Sequence, residues 1–227
     1  MTSPKRAPLN LNPARTAVLA IDPQNSFVHP DGLVARFGGN HEMMAATLPY
    51  IREIVTAGRE SGVQDIWTQH VHYPNDSKWI RHNVMPHSYR WAGGPTALKG
   101  TWESEFADQV KDLVESPTAE VIVKHRFSAF IDTRLDTLLR MLDVRTLVLT
   151  GMATTHCVEC TARDAYQRDY DVLVASEAVA AMGKEAHDAS MWLIDTTFGK
   201  VLPTADVLRL IGGETIDVDY ASFWTAG

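Results

Sequence analysis

The sequence predicts an α/β protein, a three-layer α/β/α sandwich around a mostly parallel sheet. Two features carry that prediction. Short runs of aliphatic and β-branched residues alternate along the chain with longer amphipathic segments, the pattern of strand–helix–strand units. Two of the short runs, Ala17 to Ile21 and Leu147 to Leu149, are apolar throughout, as expected of strands buried on both faces. At 227 residues, the chain suits one domain with a sizeable core.

Taken in order, Met1 to Asn12 is polar, contains prolines and lacks an apolar signal core. Residues 1–15 therefore read as a flexible arm, residues 16–227 as a single domain, and the protein as cytosolic. Residues 16–22 form the first strand, with Asp22 at its end. Pro23 cannot continue a ladder, so the strand stops there and the chain leaves across the mouth of the sheet. Residues 28–39, with His29-Pro30-Asp31-Gly32 and Gly38-Gly39, read as a loop. Residues 40–61 carry Met43, Met44, Leu48, Ile51, Ile54 and Val55 at helical spacing, closed by Gly58 or Gly62. Val63 to Val71 is a second strand.

Residues 73–102 are irregular and dense in Trp, Tyr, His, Pro and Gly, Trp91 among them. A loop of that length in a compact domain is usually functional. Its aromatic content suits substrate enclosure and a subunit contact. Residues 103–114 read as a helix through Phe106, Val110 and Leu113. Residues 119–123 make the third strand and deliver Lys124, and 132–142 a leucine-faced helix. Arg145 to Thr150 is the fourth strand, ended by Gly151. Thr154 or Thr155 can then cap a helix running from Cys157 to Tyr166. Residues 171–175 form the fifth strand and 184–198 a helix. Val201-Leu202 suits a short edge strand, cut off by Pro203. Residues 205–211 form a last helix, with an aromatic tail (Tyr220, Phe223, Trp224) suited to docking on a neighbouring subunit or to disorder.

Bulk properties narrow the function. A formal net charge of -7 argues against a nucleic-acid surface. No apolar run approaches the length of a membrane span. The two cysteines, Cys157 and Cys160, lie three apart on one predicted helix, a spacing that closes no useful disulfide loop.

The chemistry centres on Cys157. It sits in the first helical turn past the carboxyl end of a strand, the edge where open α/β sheets bind ligands. Helix N-terminal N–H groups favour a thiolate there and can hold an oxyanion. A nucleophile of this kind needs a base and a charge-steadying partner. Asp22 and Lys124 each follow another predicted strand, so all three would meet at one edge. After Asp22, Gln24 and Asn25 are candidate polar contacts or turn residues, and Phe27 a candidate substrate wall or core residue.

Three segments resemble the isochorismatase-like cysteine hydrolases. They are Ala17-Val18-Leu19-Ala20-Ile21-Asp22-Pro23-Gln24-Asn25, Val123-Lys124-His125-Arg126-Phe127-Ser128-Ala129-Phe130 and Thr150-Gly151-Met152-Ala153-Thr154-Thr155-His156-Cys157-Val158. The resemblance implies a six-stranded sheet of order 3-2-1-4-5-6 and a catalytic triad of Asp22, Lys124 and Cys157. It also implies a cis Met152–Ala153 peptide, with the N–H groups of Ala153 and Cys157 as oxyanion hole. The Lys124-to-Phe130 run resembles ureidoacrylate and biuret-type amidohydrolases more than nicotinamidases. A small carbamoyl or ureido amide is therefore the expected substrate, cleaved through a thioester, with Arg126 and Trp91 as candidate substrate contacts. The protein is expected to work without a cofactor, as a homo-oligomer (dimer or tetramer), with no nucleic-acid or membrane partner. Nicotinamidases hold a metal near His70 and His72, but with a carboxylate that this chain lacks, so a metal-assisted nicotinamidase is an alternative. An isochorismatase is another, disfavoured because that group often replaces the cysteine. A non-catalytic scaffold is the third.

Overall fold

The computed structural model describes residues 5–75 and 97–220. Trp91, most of the aromatic 73–102 loop, and Phe223 and Trp224 lie outside the described residues. The strands are β1 (Lys5–Leu9), β2 (Thr16–Ile21), β3 (Gln64–His70), β4 (Glu120–Lys124), β5 (Thr146–Met152), β6 (Asp171–Ala180), β7 (Lys200–Leu202) and β8 (Ile216–Tyr220). Strands β2 to β7 build one six-stranded sheet of order β4-β3-β2-β5-β6-β7, parallel throughout. Counted within the sheet, that is the expected order 3-2-1-4-5-6.

Strand β2 lies between β3 and β5 and is buried along its whole length. Its residues divide by pleat. Val18 and Ala20 join one core layer with Leu48, Ile51, Ile54, Val110, Val207 and Leu210. Ala17, Leu19 and Ile21 join the other, with Leu135, Leu139, Ala162, Ala165 and Ile194. Helices Leu48–Glu60, Asp108–Val114 and Thr204–Ile211 therefore cover one face. Helices Leu135–Met141 and Glu159–Tyr166 cover the other. Among the described residues no helix is long and apolar enough to cross a membrane.

Several elements depart from the sequence expectations, each for a local reason. The arm and the tail are not wholly loose: β1 pairs antiparallel with β8. Pro8 and the basic residues hid β1, but Leu9, Ile216 and Val218 pack on the first core layer. That contact anchors a two-stranded ribbon that would be marginal alone. The expected 40–61 helix divides into His41–Ala45 and Leu48–Glu60. Pro49 lacks an N–H and fits the first turn of a new helix rather than the middle of an old one. The expected 103–114 helix begins only at Asp108. The residues before it instead serve the loop after β2: the Ala107 N–H donates to Pro23 O and the Asn25 N–H to Glu105 O. Strand β6 runs on to Ala180 through an irregularity opposite Leu149 and Gly151.

Gly151 is where the sheet becomes a site. It has φ +100, and a Cβ there would stand 2.0 Å from Ile21 O. The glycine lets the ends of β2 and β5 close together, directly before Asp22 and two residues before Ala153. Gly151→Ala is expected to cost more than about 3 kcal/mol, from left-handed strain plus backbone overlap. Urea unfolding against the wild type measures it.

Candidate active site

The carboxyl ends of β2, β4 and β5 bring Asp22, Lys124 and Cys157 together. Asp22 turns the chain off β2 with φ 50, a left-handed conformation that aspartate tolerates. It is fully buried and held from two sides. The Thr68 hydroxyl donates to Oδ1 at 2.6 Å, and Lys124 Nζ lies 2.7 Å from Oδ2. The Asp22 N–H in turn donates to Thr68 O at 3.2 Å and Oγ1 at 3.1 Å. Thr68 pairs with Ile21 across the β2–β3 ladder, which places its hydroxyl one step from the carboxylate. Sequence reasoning passed over Thr68.

Lys124 is fully buried. Its ammonium forms an ion pair with Asp22 Oδ2 at 2.7 Å and donates to the Arg126 carbonyl at 3.0 Å and to Cys157 Sγ at 3.2 Å. Burial opposes the charge, but Asp22 and then Cys157 outweigh it and hold the lysine above its ordinary range.

Cys157 is reached by an unusual path. The Met152–Ala153 peptide is cis, Ala153 is extended, and Thr154–Val158 forms a π-helical turn that opens helix Glu159–Tyr166. The expected threonine caps are not made; Ala153 takes that position and no side chain caps the turn. The hydroxyls are engaged elsewhere: Thr154 Oγ1 lies 3.0 Å from His187 Nδ1, and Thr155 Oγ1 lies 2.8 Å from His156 Nδ1. Ser190 Oγ contacts the Thr154 carbonyl at 3.2 Å and also the Glu159 carboxylate, which Arg163 holds at 2.7 Å. Helix Lys184–Leu193 thereby pins the turn that presents the sulfur.

The sulfur is not acidic at rest, contrary to the sequence expectation. Burial pushes the Cys157 thiol up to about 12; the Lys124 charge pulls down, and Asp22 pushes up again. Losing the proton to solvent would leave an uncompensated charge in a buried site. Passing it to Asp22 leaves the triad's net charge unchanged and sets the thiolate beside the ammonium. The geometry therefore favours a thiol that ionises internally.

The remaining candidates separate. Gln24 is a brace, not an available contact: its amide donates to His70 O at 2.9 Å and Ser104 O at 2.8 Å, and accepts from the His70 N–H at 2.7 Å. Asn25 likewise donates to Trp102 O at 3.0 Å. Phe27 packs against the first core layer. Arg126 contributes its carbonyl to Lys124 while its side chain is exposed. His70 and His72 converge, Nε2 to Nε2, at 3.2 Å. Among the described residues no group of three metal-type donors forms, and His82 and His87, the candidates for a third ligand, lie outside the described residues.

The sequence profile of the isochorismatase domain family matches residues 16–206. The chain is 33% identical to the ureidoacrylate amidohydrolase RutB of Methylobacterium radiotolerans over 216 residues, 90% of this chain and 83% of that protein. The crystal structure of a cysteine hydrolase from Pseudomonas syringae pv. phaseolicola is similar, with TM-score 0.78, 27% identity, and coverage of 93% of this chain and 98% of that one. So is N-carbamoylsarcosine amidase from Thermoplasma acidophilum, with TM-score 0.63, 26% identity, and coverage of 84% and 96%.

Burial that raises the thiol to about 12 keeps Cys157 protonated across the neutral range. In a Cys160→Ala background, the rate of Cys157 alkylation by iodoacetamide is expected to climb steadily from pH 7 to 10. A plateau near neutrality would mean a resting thiolate instead.

Proposed function

The chain belongs to the isochorismatase domain family, and within it we propose a cysteine-dependent amidohydrolase that cleaves a small carbamoyl or ureido amide through a thioester. Its class is hydrolysis of carbon–nitrogen bonds other than peptide bonds. The observation that carries the mechanism is the Lys124 ammonium, 2.7 Å from the Asp22 carboxylate and 3.2 Å from the Cys157 sulfur at one sheet edge.

In the proposed cycle Asp22 accepts the thiol proton as Sγ attacks the amide carbonyl carbon. The oxyanion is held by the N–H groups of Ala153 and Cys157. Lys124 stays protonated and offsets the negative charge that moves from Asp22 to sulfur. The tetrahedral intermediate collapses, the C–N bond breaks, and protonated Asp22 gives its proton to the departing nitrogen. Water then attacks the thioester carbonyl with Asp22 as base, and the acid leaves as the Cys157 thiol re-forms. Each step moves one proton between neighbours and leaves the buried site's net charge unchanged.

Thr68 fits this cycle as a positioning residue. Its hydroxyl holds Oδ1, leaving Oδ2 as the carboxylate oxygen on the Lys124 side. The reading extends to a cytosolic homo-oligomer. Phe37 and Met182 are exposed apolar side chains on adjoining segments, joined by the Asn40 N–H to Met182 O bond.

Ammonia release across small primary amides, ureides and biuret analogues tests the substrate class, with turnover of a ureide or carbamoyl compound above nicotinamide expected. Cys157→Ala and Cys157→Ser should abolish turnover with an unchanged circular dichroism spectrum. Near-normal turnover in either would remove covalent catalysis by this sulfur. Thr68→Val should lower kcat roughly ten- to a hundredfold with little change in KM, the scale of one lost hydrogen bond to a charged group.

A further inference from the structure

The parallel sheet has two edges, and the one away from the triad is also concave. Strands β5, β6 and β7 begin at Thr146, Asp171 and Lys200, and these three residues line a groove of about 800 Å³. That volume lies within the roughly 300–1,000 Å³ of small-molecule sites. The triad stands at the opposite, carboxyl ends of the strands. Strand β5 alone spans seven residues between the two edges, about 20 Å of extended chain. A ligand in the groove therefore does not meet Cys157.

One wall of the groove is an unusual turn. Helix Lys184–Leu193 runs into the π-helical turn Ile194–Phe198. Gly199 then passes so close to β6 that a Cβ would stand 2.5 Å from Val172 O. Turns of this kind are rare and collect at functional sites, and the other one among the described residues carries Cys157. Here the turn sets Phe198 edge-on against Tyr166, with ring centres 5.8 Å apart. Tyr166 and Tyr220 both line the groove and are both exposed, so aromatic surface is available along its length.

The free charge in the groove has one sign. Lys200 pairs with Asp195 at 2.8 Å. Arg163, whose guanidinium lies 4.4 Å from the centre of the Phe198 ring, pairs with Glu159 at 2.7 Å. Asp169 and Asp171 also line the groove, and neither carboxylate has a partner among the described residues. An anion is disfavoured by these two groups and by the net charge of -7. A bare metal ion lacks ligands, since no group of three metal-type donors forms among the described residues. Carboxylates beside open aromatic rings suit an organic cation, which gains from ion pairing and from the π faces together.

We propose that this groove is a second ligand site, for a small organic ammonium whose apolar part lies against Tyr166 and Tyr220 and whose charge pairs with Asp169 and Asp171. It stands independently of the amide-hydrolysis reading.

Calorimetry with 2-phenylethylammonium, 2-phenylethanol and 3-phenylpropionate tests it, because the three probes share a shape and differ in charge. The full-length wild type is expected to bind the ammonium at least about tenfold more tightly than the alcohol, the scale of a hydrogen bond to a charged group, and the carboxylate most weakly. Asp169→Asn and Asp171→Asn should each weaken the ammonium several-fold and leave the alcohol unchanged. Tyr166→Ala should weaken both, with an unchanged circular dichroism spectrum. Added salt should weaken the ammonium alone. Cys157→Ala should bind it as the wild type does. The proposal is overturned by absence of ammonium binding, by equal binding of ammonium and alcohol, or by Asn variants that bind like the wild type. Loss of binding in Cys157→Ala would put the ammonium at the triad and overturn it equally.

Discussion

One buried ammonium organises this molecule's chemistry. Lys124 has no exposure to solvent; its ammonium pairs with a carboxylate and donates to a backbone carbonyl and a thiol. A lone buried charge is prohibitive, and a buried pair is only as good as its geometry and its remaining hydrogen bonds. Here the geometry is supplied by three parallel strands ending at one edge, with Thr68 satisfying the other oxygen of Asp22. The arrangement is neutral overall, and the proposed chemistry keeps it so. That explains how burial raises the resting thiol to about 12 without making it inert: the proton has a carboxylate to go to, and the thiolate would form beside a cation.

The surrounding structure keeps three strand ends in register. Gly151 allows β2 and β5 to approach more closely than any side chain would permit. Gln24 ties the loop after β2 to β3 and to the 102–107 segment through three bonds to backbone groups. His187 and Ser190 reach from helix Lys184–Leu193 to the first residue of the turn that carries Cys157. Each interaction spends a polar side chain on a backbone or hydroxyl group that burial would otherwise leave unsatisfied. Rigid placement of the sulfur and satisfaction of buried polar groups are here the same set of bonds.

Much of this could be read before any coordinates. Apolar runs marked β2 and β5 most plainly, because strands covered on both faces have no polar side to show. Asp22, Lys124 and Cys157 stood out because each follows such a run, where a charged or nucleophilic residue reaches the edge of the sheet. What escaped were features without a periodic signature. Strand β1, with Pro8 and basic residues, declares itself only through its partner β8. Thr68 is one hydroxyl in a strand, and its role depends on a neighbour 46 positions away. Gln24 and Asn25 seemed ready to meet a ligand because amides in a loop usually are available, yet here the backbone already claims them.

The sequence alone determined the fold class, the strand order through family likeness, and the three residues of the candidate site, because hydrophobic pattern and strand-end position are local properties of the chain. Only the tertiary structure decided how those groups share their charge. The protonation of a sulfur and the neighbours of a buried ammonium depend on distances between segments far apart in the chain. Electrostatic energy follows separation and burial, and neither is written in the order of the residues.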